Sequence, residues 1–403
     1  MIVYHMGGKR ILYISGSIGL GHVSKDLAIA RELRAMDSEI DITWIAAHPA
    51  TVVLARNGEN LHPFCESYAS YSAFAESTTV GSSLNLVDYV YRSRNGWIRN
   101  VGLIKAVMNS RQFDMVIGNE TYEIVIALIF GLVKITVPFV IIYDFLGLEA
   151  TSPKVGVKLG RYILNLVWSL DRSFLKDENK LALFIGEVED IPDDQFGFLL
   201  PNRRAHAQRY YHFVGYIVRF DPKDYRDPSK VKKELGFGDE PLVVCSIGGT
   251  SIGKSLLELC DMTYPLIKER IPDLRMIFVT GPRLSTESLT VHPDIEVLGF
   301  VPDLYKYYAA CDLAVVQCGL SSTSELAVLR RPFLYFPIEG HSEQEKVAAT
   351  LERFGAGVKR YLSGTTAEDL VELITANLGR GVSYKPMRGD GAKQAARLIN
   401  KYL

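Results

Sequence analysis

The sequence predicts an α/β protein built from two doubly wound, parallel-sheet domains. Short apolar, β-rich runs alternate with segments of helical period, which is the signature of βαβ units whose sheets are covered on both faces. The length of 403 residues suits two domains at about 100–200 residues each. A polar stretch, Arg219 to Gly238, carries Pro222 and Pro228 and separates two sets of runs.

The first set is Arg10 to Ser15, Asp41 to Ala46, Met115 to Gly118 and Phe139 to Tyr143. The second is Leu242 to Ile247, Arg275 to Thr280, Leu313 to Val316 and Phe333 to Phe336. Domains are therefore expected at 1–217 and 218–403, with a last helix from Ala392 to Leu403 able to pack on either. The apolar run from Ile124 to Tyr143 is long, but Lys134 interrupts it and Pro138 punctuates it, so it reads as a buried helix followed by a buried strand.

Composition excludes several classes. Hydrophobic residues make up 48% and charged residues 23%, so the chain carries enough apolar surface for real cores. A formal net charge of −1 gives no global field for nucleic acid, and none is expected as a partner. The cysteines, Cys65, Cys245, Cys260, Cys311 and Cys318, are odd in number and form no CxxC pair, which argues against disulfides and structural zinc and fits a reducing cytoplasm. The N-terminus, Met1 to Lys9, lacks the apolar length of a signal peptide.

Two glycine loops follow strands. Arg10 to Ser15 runs into Gly16, Ser17, Ile18, Gly19, Leu20, Gly21 and His22, ahead of a helix from Val23 to Met36. Glycines at a strand-to-helix turn let the backbone approach a ligand, and the helix N-terminus favours negative charge. The order is GxxGxG and the second strand ends without an acid, so a dinucleotide site is not expected. His22 lies where open α/β sheets place their ligands. A neutral imidazole there suits a base, the alternative being a capping or packing histidine.

The second loop, Gly248 to Ser255, reads GGTSIGKS and satisfies the P-loop pattern literally. The strands after it end in Thr280-Gly281, Gln317-Cys318 and Pro337-Ile338, with no acid for magnesium. What survives is a phosphate-approaching loop at Gly248, Gly249, Thr250 and Ser251.

From Ile295 to Val358 the order of features is a GF-V-P-D turn, a helix, an apolar strand, CGLSSTSE into a helix, RRPFLYFP, and an acid-amide pair opening a helix. This stretch resembles the nucleotide-sugar glycosyltransferases of the GT-B fold, above all glycosyltransferase family 28, which includes the enzyme adding N-acetylglucosamine to the lipid-linked peptidoglycan precursor. More weakly, the resemblance takes in both glycine loops. It implies two Rossmann-like domains facing across a cleft, and an inverting, metal-independent hexosyl transfer from a UDP-sugar to a hydroxyl acceptor, lipid-linked in many relatives. No cofactor beyond the UDP-sugar co-substrate is implied, and no Asp-x-Asp pair offers a metal clamp.

By the same resemblance, Gly319, Ser321, Ser322 and Thr323 would hold the diphosphate, helped by the helix dipole. Glu325 would take the ribose hydroxyls, the backbone of Phe300 and Val301 the uracil, and Glu343 with Gln344 the sugar hydroxyls. The family's usual Asp-Gln is Glu-Gln here, and Leu320 stands where a second glycine is common. His22 is the candidate base. Glu120 and Asp144, each after an N-terminal strand, are the candidates to orient it, with Glu120 preferred for that role and Asp144 for acceptor contact.

Between Leu84 and Arg111, the residues Arg92, Arg94, Arg99, Lys105 and Arg111 face one acid, Asp88, among Trp97, Ile98 and other apolar residues. Such a segment could rest on the inner face of an anionic membrane, the alternative being a solvated helical face. Other readings are a UDP-sugar epimerase of the same fold, an NTPase using Gly248 to Ser255, and a non-catalytic nucleotide-sugar-binding subunit.

Overall fold

The structure, a computed structural model, describes residues 8–16, 20–69, 79–80, 83–84, 86–110, 112–148, 155–248, 253–339 and 341–403. Its strands are β1 (Arg10–Ile14), β2 (Asp41–Ile45), β3 (Asn60–Leu61), β4 (Thr79–Val80), β5 (Ser83–Leu84), β6 (Met115–Asn119), β7 (Phe139–Tyr143), β8 (Lys180–Ile185) and β9 (His212–Gly215), followed by β10 (Leu242–Ser246), β11 (Arg275–Val279), β12 (Glu296–Leu298), β13 (Leu313–Gln317), β14 (Phe333–Phe336) and β15 (Val358–Lys359). All eight expected strands are present. The added β8 is apolar and wholly buried, and its signal, a run between Asn179 and Gly186, stands in the sequence.

The chain divides into two compact units, residues 1–219 with 390–403, and residues 220–389. The first holds a seven-stranded sheet in the order β3-β2-β1-β6-β7-β8-β9, every pairing parallel. Strand order reverses direction between β1 and β6, the switch point where open α/β sheets leave a crevice at their carboxyl edge. The second unit holds a parallel sheet in the order β12-β11-β10-β13-β14-β15, with its switch point between β10 and β13. The central strands of each sheet are buried on both faces, which is why they read as apolar runs without alternation.

In the first unit the helix Leu20–Met36 lies over β1 and β2. Arg34 grips Glu59 through two bonds of 2.7 Å, and Trp44 Nε1 donates to the same carboxylate at 2.6 Å. The last helix, Gly391–Ile399, packs on Leu20–Met36, so the segment left open between the domains belongs to the first. Its inner face is Ala392, Ala395, Ala396 and Ile399, small enough for close approach. Gly391 donates its N–H to Tyr216 O at 2.9 Å, and a Cβ at Gly391 would lie 2.6 Å from that oxygen.

The apolar run from Ile124 resolves as the helix Tyr122–Ile129 followed by β7. No helix among the described residues is long and apolar enough to cross a membrane. All five cysteines are free thiols.

Candidate active site

Three carboxyl ends of strands meet in the first unit. β1 leads to Gly16, β6 to Glu120 and β7 to Asp144, and the helix Leu20–Met36 brings His22 against them. A Cβ at Gly16 would stand 3.2 Å from Asn119 O, 3.4 Å from Glu120 Cβ and 3.5 Å from His22 Cβ. That Cβ would touch histidine and glutamate at ordinary van der Waals distance and press on Asn119 O, so glycine gives the strand end room at that point. Gly21 lies in the first turn of the helix, which starts at Leu20, rather than in the loop, and Gly19 lies outside the described residues.

His22 Nε2 stands 3.2 Å from Glu120 Oε2. The other Glu120 oxygen accepts from Tyr122 OH at 3.3 Å. The other ring nitrogen, Nδ1, is 3.8 Å from Asp144 Oδ2, beyond hydrogen-bond reach, and is buried without a partner. Asp144 Oδ2 instead takes the ammonium of Lys25 at 2.5 Å.

These charges have definite consequences. Burial lowers the His22 pKa to about 4; Lys25 acts in the same direction, and Asp144 opposes both. Burial alone would raise the Asp144 carboxyl, but Lys25 and His22 outweigh it and hold the group well below the usual carboxylate range. At neutral pH the site therefore holds a neutral imidazole, with Glu120 at Nε2 and a buried, unpartnered Nδ1.

One turn further along the helix, Asp26 is completely buried. It accepts from Tyr13 OH at 2.9 Å, Ser15 Oγ at 2.6 Å and Asn119 Nδ2 at 2.7 Å, tying helix, β1 and β6 into one frame. Burial raises its pKa to about 6 against the effect of those bonds. Lys25, Asp26, Asn119 and Tyr122 were not among the expected site residues. The signal for two of them was present, because His22, Lys25 and Asp26 stand at i, i+3 and i+4 and so share one helix face.

The donor atoms of His22, Glu120 and Asp144 lie within 4.8 Å of one another. Within the same cluster Lys25 supplies a cation to Asp144.

In the second unit the helix Leu320–Val328 starts at the carboxyl end of β13 beside the switch point. Its N-cap, Gly319, is exposed and supplies no side-chain cap, so the first-turn N–H groups of Leu320, Ser321 and Ser322 are placed as an anion seat. Thr323 does not contribute there as expected. Its hydroxyl donates to Gly319 O at 2.9 Å and its N–H to the same oxygen at 3.1 Å, so its donors are already used within the helix. Glu325 is buried on this helix, and Phe300 and Val301 sit half-buried just past β12.

Glu343 is exposed in the first turn of the helix Ser342–Phe354. Gln344 Oε1 accepts from Ile338 N at 2.8 Å, so its carbonyl braces the preceding turn. Gly248 ends β10 at a φ of 74°, and Gly249, Thr250 and Ser251 lie outside the described residues. Lys254, the lysine of the literal P-loop pattern, forms an i, i+4 pair with Glu258 at 3.4 Å on the solvent side of its helix.

Two parallel α/β units of this topology are the architecture of the GT-B fold. Residues 243–402 match the glycosyltransferase family 28 C-terminal domain, and the chain is a family 28-like enzyme of that fold. Over 412 aligned positions it is 24% identical to an uncharacterised glycosyltransferase of Methanosarcina acetivorans, covering 98% of this chain and 97% of the relative. It is 22% identical to the UDP-N-acetylglucosamine–N-acetylmuramyl-(pentapeptide) pyrophosphoryl-undecaprenol N-acetylglucosamine transferase of Symbiobacterium thermophilum, covering 97% and 95% of the two chains. Among solved structures, the glycosyltransferase of kitacinnamycin matches in fold with a TM-score of 0.63 at 15% identity, covering 98% of this chain and 99% of the other.

Proposed function

We propose that the protein transfers a hexosyl group from a UDP-sugar to a hydroxyl acceptor, with inversion and without a metal or other cofactor. The observation that carries this reading is the His22 and Glu120 pair with Nδ1 unpartnered. A buried ring nitrogen without a partner costs about 1–3 kcal/mol, which an acceptor hydroxyl would relieve.

In the step proposed, the acceptor proton passes to His22 Nδ1 while the acceptor oxygen attacks the anomeric carbon. The bond from that carbon to the β-phosphate oxygen breaks, and UDP leaves with the electron pair. Glu120 holds the ring and stabilises the imidazolium that forms. A positioned base contributes about 10²–10⁴-fold. The N–H groups of Leu320, Ser321 and Ser322 oppose the charge growing on the diphosphate, a role that preorganised donors fill without metal. Glu325 would hold the ribose, Phe300 and Val301 the base, and Glu343 with the amide nitrogen of Gln344 the sugar.

A lipid-linked acceptor at the inner membrane face suits the surface of the first unit. Ile98 is 71% exposed beside Arg99 and Lys105 on the helix Leu86–Asn109, while Asn100, Ile104 and Val107 face inward. That helix packs on Val155–Ser169, whose outer stripe of Val155, Leu159, Ile163 and Leu166 is exposed. Tyr162 OH donates to Phe198 O, which adds the exposed Phe198 and Leu199 to the same apolar area. Arg92, Arg94 and Arg111 of the expected basic segment fall outside the side chains described.

The test is calorimetric titration with UDP and with ATP, each with magnesium and with a chelator, on the native chain and on Glu325→Ala and Lys254→Ala. Micromolar UDP binding without metal, weakened by the Glu325 change, is expected. Magnesium-dependent ATP binding lost with Lys254 would overturn the reading in favour of an NTPase. Consumption of a UDP-sugar with no acceptor, giving its epimer, would convert it to an epimerase.

A further inference from the structure

Lys25 is a buried lysine that faces the interior at i+3 from His22, and its ammonium meets Asp144 Oδ2 at 2.5 Å. Withdrawing a lysine and an aspartate from water costs several kcal/mol per ion before their attraction is counted, so a buried pair of this kind is weak evidence of a stabilising role. Its position is specific: Asp144 Oδ2 is the same oxygen that faces His22 Nδ1 at 3.8 Å.

Resting on the transferase reading above, we propose that Lys25 is a positioning residue of the site. Its ammonium draws Asp144 off the imidazole, so that Glu120 alone orients the ring and Nδ1 is left for the acceptor hydroxyl. Without the ammonium, the Asp144 carboxylate would close on Nδ1 and stabilise a proton bound there from solvent, so that the lone pair the reaction needs is already protonated. The charged and titratable groups around His22 are Lys25 and Asp26 from its own helix, Glu120 from the end of β6, Asp144 from the end of β7, and Tyr122 behind Glu120. Of these, Lys25 is the group whose removal leaves an acid facing Nδ1 with its strongest partner gone. The low pKa of His22, to which Lys25 contributes, agrees with this arrangement.

The experiment follows the His22 ring by ¹H–¹⁵N correlation NMR from pH 4 to 8 in the full chain, with His22→Gln to assign the signal, and compares native protein, Lys25→Met and Lys25→Arg. Lys25→Met should raise the His22 midpoint by about one unit or more. The acid limb of kcat/KM should move up with it, and kcat should fall at unchanged donor KM. Lys25→Arg should keep the midpoint low. A His22 midpoint in Lys25→Met within about 0.3 unit of native overturns the proposal even if activity falls, because lost packing alone can lower activity without moving the midpoint. If Lys25→Met does not fold, Lys25→Met with Asp144→Asn removes both charges, and a midpoint as low as native supports the proposal while a raised one overturns it. UDP binding in the native chain reports separately on the transferase reading, so the two can fail independently.

Discussion

Glu120 meets His22 from a left-handed backbone. Its φ is 52°, a conformation that costs a residue with a side chain about 1–3 kcal/mol, and it aims the carboxylate at the imidazole across 3.2 Å. Such strain persists where the surroundings enforce it, and here β6, β7 and the Tyr122 hydroxyl do so. Replacing Glu120 by Gln keeps the size and the bond from Tyr122 but removes the charge that balances an imidazolium. We expect kcat to fall about 10²–10⁴-fold with UDP affinity unchanged. Steady-state kinetics beside calorimetry would show it, and equal loss in both would refute the assigned role.

Stability should record two opposed proton sites. His22 titrates at about 4 in the folded chain against 6.5 for an unperturbed histidine, so the unfolded state binds more protons between those values and stability is lost as pH falls through them. Asp26 titrates at about 6 against 3.8 for an unperturbed aspartate, so the folded state binds more protons there and gains stability as pH falls from 6 towards 3.8. Each effect is worth about 3 kcal/mol. Relative to native protein, His22→Gln should therefore become less destabilised, by up to about 3 kcal/mol, between pH 7 and pH 4, and Asp26→Asn more destabilised by a similar amount. Urea denaturation at both pH values checks the signs, and parallel curves for all three proteins would refute both shifts.

Gly281 and Gly248 sit back to back at the ends of β11 and β10. A Cβ at Gly281 would fall 2.1 Å from Gly248 O, and both residues have positive φ, 73° and 74°. Gly281→Ala must displace the start of the loop proposed to approach the diphosphate. We expect it to weaken UDP binding about tenfold or more and to lower stability by about 1–3 kcal/mol. Undiminished UDP affinity would show that the Gly248 turn is not part of the donor site.

A buried network away from the site offers a contrast. Asp171 takes His206 Nε2 at 2.7 Å and Tyr211 OH at 2.6 Å, all three residues being buried. Asp171→Ala would strand both partners and should cost about 2–5 kcal/mol of stability. The remaining folded fraction should bind UDP as native protein does, and a change in UDP affinity would mean that the network reaches further than its contacts indicate.

Much of the fold was legible in order along the chain. Parallel strands buried on both faces must be continuously apolar, so the runs at Leu242 to Ile247 and Phe139 to Tyr143 announced themselves. The strand Lys180–Ile185 carried the same signal between Asn179 and Gly186, while β12 and β15 are short and half-buried and left little pattern to read. At the candidate site, His22, Glu120 and Asp144 were visible because each follows a strand or opens a helix.

Their partnerships were not visible, because these depend on which strands are neighbours. Residue types and local spacing specified the two parallel sheets, the glycine at position 16 and the histidine after it. The order β1-β6-β7 then brought Glu120 to Nε2 of the imidazole and Asp144 near its Nδ1, with the two carboxyl groups beside one another, through contacts about 100 residues apart in the chain. The inward turn of the helix gave Asp144 to Lys25, and the alanine face of Gly391–Ile399 returned the chain terminus to the first unit. A sequence records which side chains are able to pair, and burial with distance, set only when the chain closes on itself, selects the pairs that form.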